Sequence, residues 1–501
     1  MVKVSGMAEE HWQQARLIPT SGISGQEEAE RRATSALLAV MRSVREFGLA
    51  IIKPLGAPTG QITTFIEVPF EIDGRSAYPD GIIESRRGNR TWTALVEVKT
   101  GSAVLERPQL EGYLDVARDN GFDAVLTISN QIAPAPGIHP VEVDKRKLRR
   151  TALHHLSWAE VLTIAVQQRV HRGVSDPDQA WILEELIRYL EHPKSGALDF
   201  SDMGPTWVPV REAVANGTLR ANSPGLAEVV SRWDQLLRFA ALRLGRELGA
   251  GVQVHLSRKE SADPASRLAA QTQSLVRHGR LTGALLIPDA IAPVDLVADL
   301  RAGRVTVSVD VGAPREGRAS TRVNWLIRQL RDAPDDLRID AFTFGSRTST
   351  SELLKTVRER PQTLVEDARR DFRMFRIAAT TAAGTKRGTG RGSFIESVLA
   401  AIDDFYETVV QQLRPWTPRA PRLPAGGRTA AEEAGIDLEP PPRDLLEDAE
   451  PHSPGELPHD ATPPGAVTAI AHRWGGPDTE RAPRALPTDE SASAGESSGA
   501  R

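Results

Sequence analysis

The chain contains no cysteine, which excludes disulfides and cysteine-liganded zinc from every part of it. It has no continuous apolar stretch approaching the roughly 20 residues needed to span a bilayer, so no membrane-spanning helix is expected. Met1 to Thr20 mixes acidic, basic and glutamine side chains without an apolar run. No signal peptide is therefore expected there, and a cytoplasmic location is the simplest reading. Nor is there an excess of positive charge, the formal net charge being -4 at pH 7. Coating of nucleic acid through bulk basicity is excluded, and any polyanion contact must come from a local patch. No internal repeat is present.

What remains is a globular composition, 40% hydrophobic and 26% charged, with a mean hydropathy of -0.31. A length of 501 residues suggests two or three domains. Leu37, Leu38, Met41 and Val44 recur at helical spacing and predict a helix over about Gln26–Phe47. Three strand-like runs follow, Thr63–Phe70, Ala77–Glu84 and Thr91–Lys99, separated by turn signals at Asp73-Gly74 and Arg87-Gly88-Asn89. A second helix is expected over Arg107–Asn120, stopped by Gly121. An apolar strand at Asp123–Ser129 and a short one near His139–Val143 complete an α/β unit in which the second helix crosses over between strands.

The chemistry concentrates between Glu27 and Tyr113. Pro79-Asp80 precedes Glu97-Val98-Lys99, with sixteen residues between Asp80 and Glu97. Side chains alternate along a strand, so Leu95, Glu97 and Lys99 share one face, while Ala94, Val96 and Val98 form an apolar one. Asp80 lies on the neighbouring strand across a short polar turn, within reach of a position opposite Glu97. Hydrolysis of a phosphodiester needs a nucleophilic water and neutralisation of charge on the phosphoryl oxygens. Two carboxylates can hold Mg²⁺, a hard cation that prefers oxygen ligands. A lysine beside it can orient the water or stabilise developing charge, and its pKa can fall in a partly buried cationic site. Taken singly, Pro-Asp-Gly is a common turn and Glu-x-Lys a common surface ion pair. Together they interrupt a strand of buried character in the required order.

Asp80, Glu97 and Lys99 resemble the signature of the PD-(D/E)XK, restriction-endonuclease-like superfamily. The helix, three-strand, helix, strand order over residues 25–150 is similar to its αβββαβ core. Gln109 and Tyr113, spaced i and i+4 on one helix face, reproduce the Gln-x-x-x-Tyr motif of its RecB-like members. The resemblance covers about a quarter of the chain and implies a metal-dependent nuclease. Asp80 and Glu97 would be metal ligands, Lys99 would position or activate the water, and Gln109 and Tyr113 would contact substrate. It also implies an auxiliary carboxylate on the first helix, for which Glu30 is the best match because it shares a face with Thr34, Leu37 and Met41. Glu27 lies one turn earlier, Glu28 is a weaker match, and a solvated acidic first turn is the competing reading. The implied cofactor is Mg²⁺ with Mn²⁺ as substitute, and the implied substrate is DNA, in restriction, phage defence or repair. RNA as substrate, or a catalytically silent nucleic-acid-binding protein on the same fold, stays open, as does self-association as a homodimer. Members with a cysteine-held iron–sulfur cluster are no model for this chain.

Beyond the core, 151–249 is expected to be a helical region, with Trp181, Leu183, Leu186, Ile187 and Leu190 on a buried stripe and a further helix over Gly225–Leu248. Residues 250–415 suggest a second α+β domain, a candidate protein-binding module, with strands at Gly283–Ile287, Arg304–Val311 and Ile339–Phe344 and helices near Arg322–Arg331 and Ser393–Leu413. Residues 1–24 are an extension. The Pro-, Gly- and acid-rich tail 416–501 is expected to be disordered. Lys145, Arg146, Lys147, Arg149 and Arg150 could track a phosphate backbone or form a solvated helix start. Lys386–Gly392 is a flexible basic loop without the features of a phosphate-cradling P-loop; it could contact nucleic acid or a partner, with a disordered connector as the competing reading. His154-His155 lacks spaced partners, so no zinc site is expected there.

Overall fold

The computed structural model describes residues 13–14, 25–72, 75–133, 137–197, 200–367 and 369–418. The architecture is α/β, with helices packed on two multi-stranded sheets, the first mixed and the second antiparallel. The chain divides between Ala420 and Pro421 into two units, and the described residues all lie in the first. The tail's expected disorder and the Asp73-Gly74 turn fall outside the described residues, apart from 416–418, which have no regular structure.

The predicted first helix is two helices, α1 (Gln26–Ser43) and α2 (Arg45–Ile52), because Val44 adopts an extended conformation between them. The first sheet then runs in the order β1 (Gln13–Gln14), β2 (Gln61–Ile66), β5 (Gly81–Arg87), β6 (Arg90–Val98), β7 (Ala124–Ser129), β8 (Ala152–Ser157). A small hairpin, β3 (Phe70–Ile72) and β4 (Arg75–Ala77), stands outside it. Pairings β2–β5 and β5–β6 are antiparallel, whereas β6–β7 and β7–β8 are parallel. The crossover between β6 and β7 is α3 (Arg107–Asp119), which starts with Pro108 in its first turn and is followed by Gly121 at φ 70°, the left-handed turn that ends helices.

The sheet is covered on both faces, which is why β6 and β7 are almost wholly buried. Ala94, Val96, Val98, Leu126 and Ile128 pack against α1, α2, α4 (Trp158–Val166) and α5 (Pro177–Glu191). Ile82, Leu95 and Val125 pack against α3 through Tyr113, Leu114 and Val116. The strand expected near His139–Val143 does not form; the sheet's last strand is β8, beyond the basic run.

The segment 151–249 is accordingly shared between two cores. Its first part supplies β8, α4 and α5 to the six-stranded sheet. Its second part, α6 (Trp207–Ala215) and α7 (Leu226–Leu248), belongs to the other core. There the strands β9 (Gln253–Val254), β10 (Arg280–Leu286), β11 (Val294–Asp299), β12 (Arg304–Gly312), β13 (Arg338–Thr343), β14 (Ser349–Leu353) and β15 (Phe372–Ala382) make a seven-stranded sheet. The helices of this part are α8 (Arg258–Ala262), α9 (Pro264–His278), α10 (Ala319–Gln329), α11 (Leu354–Glu359) and α12 (Phe394–Thr408). Strand alternation sorts its faces: Val305, Val307, Val309 and Val311 of β12 enter the core with Phe375 and Ile377 of β15. On the opposite face Arg376 binds Asp310 through Nε and Nη2 at 2.7 and 2.8 Å. The Lys386–Gly392 loop is tied down, since Met203 N–H donates to the Arg387 carbonyl and Trp207 Nε1 to the Thr385 carbonyl.

Of the stripe predicted on α5, Leu183, Leu186, Ile187 and Leu190 are buried, but Trp181 is 58% exposed. Its position on the helix turns it away from α1 and α4. Leu186→Ala is expected to cost about 2–5 kcal/mol, whereas Trp181→Ala should change stability by less than about 0.5 kcal/mol. Urea denaturation of the two variants compares them directly.

Candidate active site

The predicted residues meet at the C-terminal end of β6. The β5–β6 register pairs Gly81 with Val96, so continuing it by one residue sets Asp80 across from Glu97. The Asp80 carboxylate is held there by the Val98 N–H, 2.7 Å from Oδ2. Glu97 is 1% exposed. Its Oε1 receives Lys99 Nζ at 2.6 Å and Gln109 Nε2 at 2.8 Å. The second Gln109 amide hydrogen goes to the Tyr113 hydroxyl, 3.1 Å away, and that hydroxyl donates to the Tyr78 carbonyl at 3.2 Å. The i, i+4 spacing on α3 thus links Glu97 to the segment that carries Asp80.

Glu30 arrives from α1. Its Oε1 accepts from Thr100 N–H at 3.4 Å, and its Oε2 lies 3.7 Å from Lys99 Nζ. Glu28 pairs instead with Arg32 one turn on, and Glu27 is exposed in the first helical turn, so neither competes with Glu30. Among the described residues no three His, Asp or Glu side chains converge as a ready ligand set. Asp80 and Glu97 are neighbours across the strand end, and Glu30 approaches the Lys99 ammonium from α1.

Burial, reinforced by the charge of Glu97, pushes the Asp80 carboxyl well above its ordinary range; the Val98 N–H and Lys99 offset part of this. Burial also raises Glu97, against the pull of Lys99. For Lys99 the shift runs opposite to the fall that a cationic site can produce. Burial does work against its charge, but Glu97, Asp80 and Glu30 together hold it above the ordinary lysine value. The surroundings are anionic rather than cationic, so Lys99 stays an ammonium. Tyr113 is raised by burial and by Glu97, and remains a phenol.

Several supports were not anticipated. Trp158 Nε1 donates to the Lys99 carbonyl at 2.9 Å; the Ser-x-x-Glu capping box at Ser157–Glu160 that starts its helix is the signal that locates it. Asn130 Nδ2 donates to the carbonyls of Gly101 and Gly196 at 2.9 and 2.8 Å. A Cβ on Gly196 would lie 2.7 Å from Thr100 Cβ, so only glycine permits this approach to the chain beyond Lys99. Leu105 N–H, just before α3, donates to Gln131 Oε1 at 3.1 Å.

On the same sheet face, β6–β7–β8 register aligns Glu97, Thr127 and His155. His155 Nε2 faces the Gln131 carbonyl at 2.7 Å, and its Nδ1 meets Thr127 Oγ1 at 2.8 Å. His139 Nε2 meets the same hydroxyl at 2.8 Å, and its Nδ1 accepts the Val141 N–H at 3.0 Å. The proton order that fits the Val141 N–H runs from His139 to Thr127, from Thr127 to His155, and from His155 to the Gln131 carbonyl, with the His154 carbonyl 3.2 Å from the Thr127 hydroxyl as the competing acceptor. Both rings are neutral in that order. His155 therefore does have a histidine partner, which its sequence neighbourhood did not reveal. The basic run packs on α3, with Lys147 paired to Asp115; Arg146, Arg149 and Arg150 line a cleft of about 220 Å³ with Asp115 and Arg118.

Comparison with family models, curated proteins and solved structures finds no match to the chain.

Burial lowers His139 and His155 to about 4, His139 being lowered further by His155, and His155 by Arg238. Between about pH 6.5 and 4 the unfolded chain binds protons on these rings and the folded chain does not. Stability therefore rises with pH across that window and is lost as pH falls. The melting temperature of the wild type should fall more steeply from pH 6.5 to 4 than that of His155→Gln; parallel curves would show that the chain of hydrogen bonds does not set this dependence.

Proposed function

We propose that the protein is a Mg²⁺-dependent nuclease of the PD-(D/E)XK type that hydrolyses phosphodiester bonds of DNA. The reading rests on one observation: Lys99 and Gln109 converge on the buried Glu97 carboxylate with Asp80 across the strand end. Ordinary surface ion pairs are solvated and worth little; this one is enclosed, and its carboxylates outnumber its ammonium.

The donor set suits a hard divalent cation. Burial holds the Asp80 and Glu97 carboxyls above their usual range, and a nearby cation would relieve both. Asp80 and Glu97 would hold it, with Glu30 as an auxiliary oxygen donor. Bound there, Mg²⁺, or Mn²⁺ in its place, supplies charge neutralisation at the phosphate and acidifies a coordinated water. Lys99, kept protonated, orients the attacking water and stabilises charge on the phosphoryl oxygens. Gln109 fixes the Glu97 rotamer, and Tyr113 fixes the main chain leading into Asp80. The resemblance of its motifs to that superfamily implies a role such as restriction, phage defence or DNA repair without selecting one.

A cleavage assay on plasmid, linear duplex, single-stranded DNA and RNA, with Mg²⁺, Mn²⁺ or EDTA, tests the reading. Lys99→Ala and Asp80→Asn are each expected to lower kcat by about 10²–10⁴-fold while leaving the circular dichroism spectrum unchanged. Full activity in both variants would overturn the assignment. Metal-independent DNA binding without cutting would instead identify a silent binder, and cutting confined to RNA would correct the substrate.

A further inference from the structure

Tyr78 is 64% exposed, although it stands two residues before Asp80. Its exposure follows a local alternation: Tyr78 is exposed, Pro79 buried and Asp80 partly buried. Tyr78 therefore lies close to Asp80, the two Cα atoms being no more than about 7 Å apart, with its side chain open to solvent. Its main chain is pinned, because the Tyr78 carbonyl accepts from Tyr113, whose oxygen accepts from Gln109, which in turn donates to Glu97. A rigid anchor thus carries a free aromatic face. Trp181 and Phe344 are also exposed, but neither α5 nor the chain after β13 supplies a site residue. Val104, 57% exposed, adds an apolar side chain on the segment that joins Lys99 to α3.

We infer that Tyr78 is a stacking platform for the nucleobase beside the scissile phosphate, and that the site takes an unpaired nucleotide. The inference rests on the nuclease reading. An exposed aromatic ring with few rotatable bonds offers contact area at low entropic cost, and base–aromatic stacking is tolerant of sequence. In an intact duplex each base face is already occupied by its neighbours. A single strand or a frayed end presents one.

The test uses the full chain and an oligonucleotide carrying 2-aminopurine at the cleaved nucleotide. Fluorescence is read with Ca²⁺ replacing Mg²⁺, and cleavage of single-stranded and blunt duplex DNA is followed with Mg²⁺. The wild type is expected to quench the probe and to prefer the single strand. Tyr78→Ala should lose the quench and raise KM on single-stranded DNA about tenfold, with kcat moving far less; Tyr78→Phe, which keeps the ring, should retain the quench. A wild type that cuts while Tyr78→Ala matches it in quench and KM overturns the inference and leaves the nuclease reading intact. So does equal cutting of blunt duplex. A wild type that neither binds nor cuts any of these substrates removes the DNA-nuclease reading, and this inference with it.

Discussion

A carboxylate that is 1% exposed sits at the end of the central strand of a two-faced sheet. Burial of an unpaired charge is among the costliest things a fold can do, so the neighbourhood of Glu97 is organised to compensate it. Lys99 supplies the charge from the same strand face, and Gln109 supplies a neutral donor from α3. Trp158 and Asn130 hold the main chain at and just beyond Lys99. Glu30 reaches the same ammonium from the helix on the other face. Three carboxyl groups, those of Asp80, Glu97 and Glu30, thus surround the one Lys99 ammonium.

The loop after β7 joins this arrangement to the second core. Asn130 and Gln131 bind the chain on either side of Ala103, and the Gln131 carbonyl accepts from His155. Two residues on, the Ala133 carbonyl accepts from Arg238 of α7 at 2.7 Å, and Arg238 also pairs with Glu160 at 2.8 Å. One short loop thus connects the seven-stranded part, the histidine chain and the segment that positions α3.

Much of the site was legible because it obeys short periodicities. Strand alternation put Glu97 and Lys99 on one face and Ala94, Val96 and Val98 on the other, as the separate packing clusters of Leu95 and Val96 bear out. Helical spacing put Gln109 and Tyr113 together, and their mutual hydrogen bond follows. Placing Trp181 on the buried stripe goes against that same rule: at about 100° per residue it lies on the side of the helix opposite Leu183, Leu186, Ile187 and Leu190, and it is exposed. The six-stranded sheet also continues past residue 150. β8 has an unremarkable polar pattern, Ala-Leu-His-His-Leu-Ser, and becomes a strand by pairing in parallel with β7.

The sequence by itself determined the residue types, their order and the faces they occupy, because backbone geometry imposes those over a few residues. Only the tertiary structure decided the charge state of Lys99, since three carboxylates from β5, β6 and α1 must be summed in space before its environment is anionic. The same holds for the partnership of His139 with His155 through Thr127 and for the exposure of Tyr78 beside a buried site. Each depends on which distant segments come to lie together, and no local period encodes that.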